Sequence, residues 1–225
     1  MRLVVATYNV HGCVGSDGRY SRGRILKVLK ELQADLIALQ EVDCEATLLW
    51  LAEHMKLTGI AGPVLQHRGC FGNGVLTNCT MGDLRLVDLT MQGELPRGAI
   101  DVDLHCNGEV VQVIATHLGL RPYERRSQVQ ALLKQFQSPY CILLGDLNEW
   151  FLWGRPLRWI QAMFGHSPAL RTFPARSPLF ALDRIWIRPP GTLIHIQTHR
   201  TSLSLVASDH LPLKAVIEWQ PLRQS

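Results

Sequence analysis

The chain has 225 residues, of which 47% are hydrophobic and 19% charged, so it can bury a sizeable core and is not a disordered chain, a collagen-like repeat or a coiled coil. No apolar run approaches the length of a bilayer span, and the opening MRLVVATYNVHG turns polar too soon for a signal peptide. The formal net charge of +4 is mildly basic. Since no linker or repeat interrupts the chain, we expect one domain, residues 1–225, that is a monomer.

In chain order, the first part alternates predicted strands and helices. Residues 3–10 form an apolar strand that ends in polar side chains, and apolar residues recur at helical spacing over 25–32, behind Ser21 as N-cap. Residues 35–41 predict a short buried strand that runs into a carboxylate, and 46–56 predict a second helix.

The second part is richer in strands. Short strands are predicted at 72–77 and 83–90, and two apolar segments flank Asn107-Gly108, a strong hairpin signal. Apolar residues mark one face of a helix over 123–137, and a buried strand covers 140–146. This order favours a layered α/β domain with mostly antiparallel or mixed sheets over a dinucleotide-binding fold. Three further strands close the chain, at 182–188, 193–198 and 212–219.

The six cysteines lie far apart and form no CxxC pair. This pattern is typical of reduced, mostly buried thiols and argues against a disulfide framework or a zinc site. We therefore predict free thiols and a cytoplasmic location. The cysteines stand at positions 13, 44, 70, 79, 106 and 141.

Polar side chains stand where apolar strands end, which is where layered α/β folds assemble their sites. Taken singly, such a carboxylate is usually a turn former, and a lone histidine is usually a core or surface residue. Together they offer the hard oxygen ligands that Mg²⁺ or Mn²⁺ prefers, and imidazoles for proton transfer. No nucleophile signature such as GxSxG is present, so water is the expected attacking group. The residues are Asn9, Glu41, His117, Asp146, Asn148, Asp209 and His210.

Seven motifs follow one another along the chain: TYNVHG, LQEVD, GNGVLT, THLG, GDLN, LDRIWI and SDHLPL. In this order they resemble the endonuclease/exonuclease/phosphatase superfamily, which includes deoxyribonuclease I, exonuclease III and the neutral sphingomyelinases. The resemblance spans residues 4–218. It implies an α/β fold, a four-layer α/β/β/α sandwich in which two mixed, mostly antiparallel sheets pack face to face with helices outside. It also implies a phosphoric ester hydrolase that uses Mg²⁺ or Mn²⁺.

The resemblance implies roles for residues of these motifs. Glu41 would be the main metal carboxylate, and Asn9 and Asp209 would complete or support the metal shell. Asp146 would orient and deprotonate the attacking water, and Asn148 would bind a phosphoryl oxygen.

Other residues would act around the phosphate. His210 would stabilise its charge or transfer a proton, with Asp183 fixing the tautomer of the imidazole. His117 would contact the phosphate or assist the leaving oxygen. Candidate substrate ligands are Asn73, Arg68 and Arg97, although solvated surface arginines are at least as common as anion ligands.

Two positions depart from the abasic-site endonucleases that resemble exonuclease III. Those enzymes carry an acidic residue where this chain has His11 and a tyrosine where it has His117. THLG is more similar to the deoxyribonuclease I and sphingomyelinase branches. Abasic-site repair is therefore disfavoured, whereas nuclease activity in general is not.

The segment 150–164 combines five aromatic residues with Arg155 and Arg158. Core packing is the commonest explanation for such rings. The alternatives are a stacking surface for single-stranded nucleic acid and an interfacial segment that meets lipid headgroups. The motifs slightly favour a phosphodiesterase with nuclease-like chemistry. The alternative is hydrolysis of a phospholipid or small phosphate ester in peripheral contact with a membrane.

Overall fold

A computed structural model describes residues 2–62, 65–66, 70–106, 108–190 and 192–219. Five α-helices lie in these residues, and the longest has 12 residues. No helix in the described ranges is long and apolar enough to cross a membrane. The helices are α1 (Arg22–Leu32), α2 (Glu45–Met55), α3 (Pro122–Leu133), α4 (Arg155–Phe164) and α5 (Ser204–Ala207).

The first sheet contains seven strands of the described chain and mixes parallel with antiparallel pairs. Its two middle strands, β1 (Arg2–Asn9) and β2 (Leu36–Val42), are parallel, so both point their carboxyl ends at the same edge. Antiparallel strands extend the sheet on both sides. They are β12 (Leu213–Glu218) and β11 (Leu193–Thr198) next to β1, and β5 (Cys70–Thr77), β3 (Thr58–Ala61) and the short β4 (Leu65–Gln66) next to β2.

The second sheet has five strands in the described chain and repeats this plan. Its parallel pair is β8 (Glu109–His117) and β9 (Cys141–Asp146), and their last residues lie opposite each other. The remaining pairs are antiparallel. Their strands are β6 (Thr80–Asp88) and β7 (Gly98–Cys106) beyond β8, and β10 (Asp183–Arg188) beyond β9.

The two sheets pack face to face around a shared core. Val5 and Ala38 of the first sheet and Val113 and Leu144 of the second belong to one cluster and are fully buried. Residues of α1 and α2 form a second cluster with the outer face of the first sheet, and residues of α3 and α4 form a third with the outer face of the second sheet. The predicted four-layer α/β/β/α sandwich is therefore confirmed.

The ends of several helices and strands can be compared with the local sequence signals that predict them. Oγ of Ser21 accepts the N–H of Arg24 at 3.2 Å, as expected of an N-cap. Cys106 pairs with Glu109, so β7 and β8 meet where the hairpin signal predicts, while Asn107 lies outside the described residues. The predicted helix over 123–137 is shorter, since α3 ends at Leu133.

The cysteine prediction is wrong at two positions, because Cys79 and Cys106 form a disulfide. Cys79 directly precedes β6 and Cys106 ends β7, and the antiparallel pairing of these strands brings their Cα atoms to 5.1 Å. This proximity depends on strand register, which cysteine spacing does not reveal. Cys13, Cys44 and Cys141 are free thiols. Because two of the cysteines form a disulfide, the cysteines do not support the predicted cytoplasmic location.

Candidate active site

The polar residues at the strand ends converge at one edge of the sandwich. Asn9 ends β1 and Glu41 lies one residue before the end of β2, while His117 and Asp146 end β8 and β9. Parallel pairing places His117 opposite Asp146. Asp183 begins β10, which pairs with β9 on the side away from β8, and it lies opposite Asp146. Both parallel pairs therefore contribute their carboxyl ends to one site.

Asn9 connects the two sheets at this edge. Its buried Nδ2 donates to Oε1 of Glu41 and to Oδ2 of Asp146, both at 3.0 Å. Its Oδ1 accepts the N–H of His11 at 3.0 Å, which fixes the orientation of the amide. Oγ of Ser208 donates to the carbonyl oxygen of Asn9 at 2.8 Å and holds the SDHLPL segment at the same place. One amide thus positions two carboxylates.

Two residues of the site adopt left-handed backbone conformations, Glu41 with φ 55° and Asn148 with φ 50°. Such values are uncommon outside glycine and cost about 1–3 kcal/mol each. At Glu41, the pairing of β2 with β5 shifts register, which breaks the regular alternation of side chains. At Asn148, the backbone N–H donates to Oδ1 of Asp146 at 2.9 Å. Strain retained at these two positions is typical of a functional site.

Gly145 of the GDLN motif is required by a close approach of β8 and β9. It has φ 145°, and a Cβ atom there would lie 1.9 Å from the carbonyl oxygen of Thr116. Only glycine fits this position without displacing a strand. The position of Asp146, the next residue, depends on this contact.

His210 and Asp183 form a buried hydrogen-bonded pair. Nδ1 of His210 lies 2.8 Å from Oδ2 of Asp183, and Nε2 lies 3.8 Å from Oδ2 of Asp146. Burial alone would lower the pKa of His210, but the charges of Asp183, Asp146 and Asp209 outweigh it and raise the pKa to about 10. His210 is therefore an imidazolium at neutral pH, with Nε2–H directed toward the site.

His117, in contrast to His210, is neutral. Nη1 of Arg97 lies 3.1 Å from its Nδ1. Burial, together with the charge of Arg97, lowers the pKa of His117 to about 3. Nδ2 of Asn148 lies 3.0 Å from Nε2 and donates to the carbonyl oxygen of Leu118 at 2.9 Å. A neutral and a charged imidazole therefore flank Asp146, whose Oδ2 is 3.7 Å from Nε2 of His117.

The predicted metal residues supply a donor set that suits Mg²⁺ or Mn²⁺. Glu41, Asp209 and the amide of Asn9 offer only hard oxygen ligands. The side chains of Glu41 and Asp209 are 28% and 33% exposed, so a hydrated cation can reach them. Oδ1 of Asp209 lies 3.8 Å from Nδ1 of His11. The residues present therefore fit a hard divalent cation.

The described residues also contain a compact buried group of Asp146, Asp183 and His210, whose ligand atoms lie within 4.8 Å of one another. The sequence does not predict this combination as a metal site. Here the imidazolium of His210 already balances the carboxylates, at 2.8 Å and 3.8 Å. A metal ion bound between these residues would have to displace the proton of the His210 imidazolium. This favours binding of a metal at Glu41 instead.

Of the candidate substrate ligands, Arg97 lies in the site through its contact with His117. Asn73 is buried, and its Nδ2 donates to the carbonyl oxygen of Gly98 at 2.8 Å, next to Arg97. This bond joins β5 to β7 across the two sheets. Arg68 lies outside the described residues.

Sequence reasoning missed a buried ion pair behind the site. Nε of Arg125 lies 3.1 Å from Oε2 of Glu149, and the side chains are 2% and 5% exposed. Nη1 of Arg125 also donates to the carbonyl oxygens of Gly119 and Leu120, in the loop after β8. The pair therefore connects the loops that follow THLG and GDLN. Its sequence signals are Glu149 directly after GDLN and the polar inward face of α3.

The aromatic segment 150–164 divides into two parts. Phe164 is buried and Trp159 packs partly against the core behind the second sheet, as core packing requires. Trp150 instead makes edge contacts with Phe173 and Phe180, at centroid distances of 6.0 and 4.7 Å. The ring of Phe173 lies 4.8 Å from that of His210, so an aromatic wall leads out of the site. No motif or spacing in the sequence marks Phe173 or Phe180 as part of the site.

Comparison with known proteins gives a family match over most of the chain. The profile of the Endonuclease/Exonuclease/phosphatase family matches residues 6–210. The chain is 27% identical to the uncharacterized protein YbhP of Escherichia coli K12 over an alignment of 251 residues, which covers 95% of each chain.

Solved structures share the fold at lower sequence identity. A protein from Beutenbergia cavernae described as an endonuclease/exonuclease/phosphatase has a TM-score of 0.78 at 22% identity, covering 96% of this chain and 71% of that one. A humanized TDP2 of D. rerio has a TM-score of 0.76 at 18% identity, with 97% and 99% covered. A mannosyl-6-phosphatase from Bacteroides thetaiotaomicron has a TM-score of 0.76 at 16% identity, with 96% and 100% covered. At these identities the likeness concerns the fold.

Proposed function

Since the chain belongs to the endonuclease/exonuclease/phosphatase family, we propose that it is a phosphodiesterase that uses Mg²⁺ or Mn²⁺ and acts through one catalytic domain. The observation that carries this proposal is the environment of Asp146. Its Oδ2 accepts Nδ2 of Asn9 at 3.0 Å and lies 3.7 and 3.8 Å from the imidazoles of His117 and His210. A carboxylate between a neutral and a charged imidazole suits attack by water on a phosphate ester.

Asp146 is the proposed general base. It is buried, and its two oxygens accept N–H groups from Asn9 and from the backbone of Asn148, which fixes its orientation. The carboxylate takes a proton from the attacking water, while the amide of Asn148 binds a phosphoryl oxygen. A base held in this way removes much of the entropic cost of orienting water.

The two histidines have different proposed tasks. His210 is charged through its pair with Asp183, so its Nε2–H stabilises the negative charge that builds up on the phosphoryl oxygens. His117 is neutral, and its proposed task is to contact the phosphate or to assist the leaving oxygen. Arg97 adds positive charge next to the ring.

Glu41, with Asn9 and Asp209, is the proposed holder of the metal. When bound, the cation supplies Lewis-acid stabilisation of the phosphate charge and lowers the pKa of coordinated water. The exposure of Glu41 and Asp209 keeps this side of the site open. An open site leaves room for both ester groups of a diester, which favours a diester over a small monoester.

The test is hydrolysis of bis(p-nitrophenyl) phosphate and p-nitrophenyl phosphate with Mg²⁺, Mn²⁺ or EDTA. We expect turnover of the diester with either metal, loss of turnover in EDTA, and at least an about hundredfold loss in Asp146→Asn, the usual scale of general-base removal. Asp83→Asn, a change at an exposed aspartate of β6, is the control. Full activity in EDTA or in Asp146→Asn would contradict the proposal.

A further inference from the structure

Residues 150–153 form an exposed apolar segment, here called the aromatic ledge, directly after the candidate active site. Its four residues follow Glu149 and precede α4. The exposed fraction rises along it, from 37% at Trp150 through 55% at Phe151 and 59% at Leu152 to 73% at Trp153. Four consecutive large apolar side chains in water are costly, so their exposure calls for a ligand.

The ledge is held in place by contacts behind it. Oε1 of Glu149 accepts the N–H of Phe151 at 3.2 Å, and the N–H of Gly154 donates to the carbonyl oxygen of Phe151 at 2.9 Å. A Cβ atom at Gly154 would lie 2.6 Å from Cδ of Glu149, so the turn closes tightly on that carboxylate. Trp150 packs on Phe180. The apolar side chains are therefore presented by a defined turn.

Positive charge adjoins the ledge. Phe151 and Trp153 line a cleft of about 320 Å³ together with Arg126, Arg155 and Arg158. Arg155 and Arg158 are exposed, and neither has an ion-pair partner among the residues that the structure describes. Apolar side chains beside unpaired guanidinium groups are suited to bind a ligand whose surface is both apolar and anionic.

The geometry of the rings argues against single-stranded nucleic acid as the occupant. The rings of Phe151 and Trp153 lie 5.3 Å apart at 38° and pack on each other, so they do not form two open platforms for successive bases. Leu152 is aliphatic. Two further leucines are exposed, Leu120 at 56% and Leu179 at 59%, and Leu179 directly precedes Phe180, on which Trp150 packs. Leucines gain nothing from base stacking but do gain from burial in acyl chains.

We propose that the aromatic ledge inserts into the interface of anionic phospholipid membranes, with Arg155 and Arg158 on the headgroup phosphates. Membrane insertion places the candidate active site, a few residues away at Asn148, next to the phosphoric esters of the lipid surface. That the lipid itself is the substrate rests on the proposed function, whereas the membrane binding does not.

The binding test is co-sedimentation of the protein with vesicles of phosphatidylcholine alone or mixed with phosphatidylglycerol. We expect the unmodified protein to bind the mixed vesicles. Phe151→Ser with Trp153→Ser should weaken binding at least about tenfold, because the exposed rings supply the insertion. Leu49→Ser with Ile194→Ser, which removes equally exposed apolar side chains elsewhere (52% and 60%), is the control and should bind normally. Arg155→Gln and Arg158→Gln should each weaken binding to mixed vesicles about fivefold.

Turnover of the soluble diester is measured in the same variants and should stay unchanged in all of them. No vesicle binding by the unmodified protein, or equal binding by the ledge and control variants, would overturn the proposal. So would loss of binding to a single-stranded oligonucleotide, instead of vesicles, in the ledge variant. Absence of diester turnover alongside ledge-dependent vesicle binding would contradict the proposed function and leave the docking surface supported.

Discussion

Arg125 and Glu149 form an ion pair, Nε to Oε2 at 3.1 Å, that is almost wholly withdrawn from water. Through it the loop after β8, which follows His117, is fixed to the loop after β9, which contains Asn148. Neither residue belongs to the proposed catalytic set. Their pairing joins the two loops that follow His117 and Asn148, which do belong to it.

Removing one partner of this pair should be strongly destabilising. Arg125→Met leaves the Glu149 carboxylate buried without its partner, and we expect a loss of about 3–5 kcal/mol in the free energy of unfolding. Arg125→Met combined with Glu149→Leu should recover much of that loss, because no buried charge remains unpaired. Diester turnover should stay low in the double variant, since the bonds to Gly119 and Leu120 are gone. Urea unfolding and turnover measure the two effects; additive losses would contradict the coupling.

Metal binding should depend on Glu41. In Glu41→Gln we expect no turnover and no rise in the unfolding temperature on addition of Mg²⁺, because a ligand that binds only the folded state stabilises it. The metal-free protein should unfold almost as before, since the amide can still accept from Asn9. Glu53→Gln, an exposed site on α2, is the control. A Mg²⁺-dependent shift in Glu41→Gln equal to that of the control would place the metal elsewhere.

The His210–Asp183 pair makes stability depend on pH. The pKa of His210 rises from 6.5 to about 10 on folding, against burial and because of Asp183 and the other carboxylates. A raised pKa means that the contribution to stability is complete below pH 6.5 and is lost as pH rises toward 10. In metal-free protein, urea unfolding should show this decline, and Asp183→Asn should flatten it. A decline of equal steepness in the variant would remove Asp183 as its cause.

The same pair predicts which of two variants, Asp183→Asn or His210→Ala, loses more diester turnover. If Asp183 acts by orienting and charging the imidazole, Asp183→Asn should reduce diester turnover less than His210→Ala does. The reverse order would mean that Asp183 has a direct role. Unfolding curves of both variants must first show that they remain folded at the assay temperature.

Gly145 should tolerate no side chain. Gly145→Ala places a methyl group 1.9 Å from the carbonyl oxygen of Thr116 at a φ of 145°, so β8 and β9 must separate next to Asp146. We expect a loss of stability of about 2–4 kcal/mol and of turnover. Gly23→Ala, in α1 with its nearest neighbour at 3.9 Å, should be neutral or stabilise by up to about 1 kcal/mol. Wild-type unfolding of Gly145→Ala would contradict the described strand contact.

Thiol titration tests the disulfide. Because Cys79 and Cys106 are paired, at most four of the six cysteines should react in denatured, unreduced protein, and reduction should raise the count to six. In folded protein Cys13 and Cys141 should react slowly, because burial raises the pKa of their thiols to about 12 and about 11. Six thiols before reduction would contradict the bond.

The sandwich and most of the candidate site can be predicted from the sequence, because both depend on local sequence patterns. Each strand of the two parallel pairs ends in a motif, so Asn9, Glu41, His117 and Asp146 were predicted together. The Cys79–Cys106 bond was not, since it depends on the register of β6 against β7. Nor was Arg125, because a buried arginine on an inward helix face has no apolar periodicity. The exposure of the aromatic ledge depends on where α4 begins, which composition does not define.

The amide of Asn9 bridges carboxylates from both sheets, and one of them, Asp146, lies 137 residues further along the chain. Neither sheet can therefore assemble the proposed catalytic group by itself. Contacts between residues so far apart in the sequence carry a high loop-closure cost, so we expect this bridge to form late in folding. In a refolding experiment, recovery of catalysis should coincide with the slowest phase of core formation. Recovery of the proposed diester turnover is then a more demanding test of complete folding than a spectroscopic signal that one sheet alone can give.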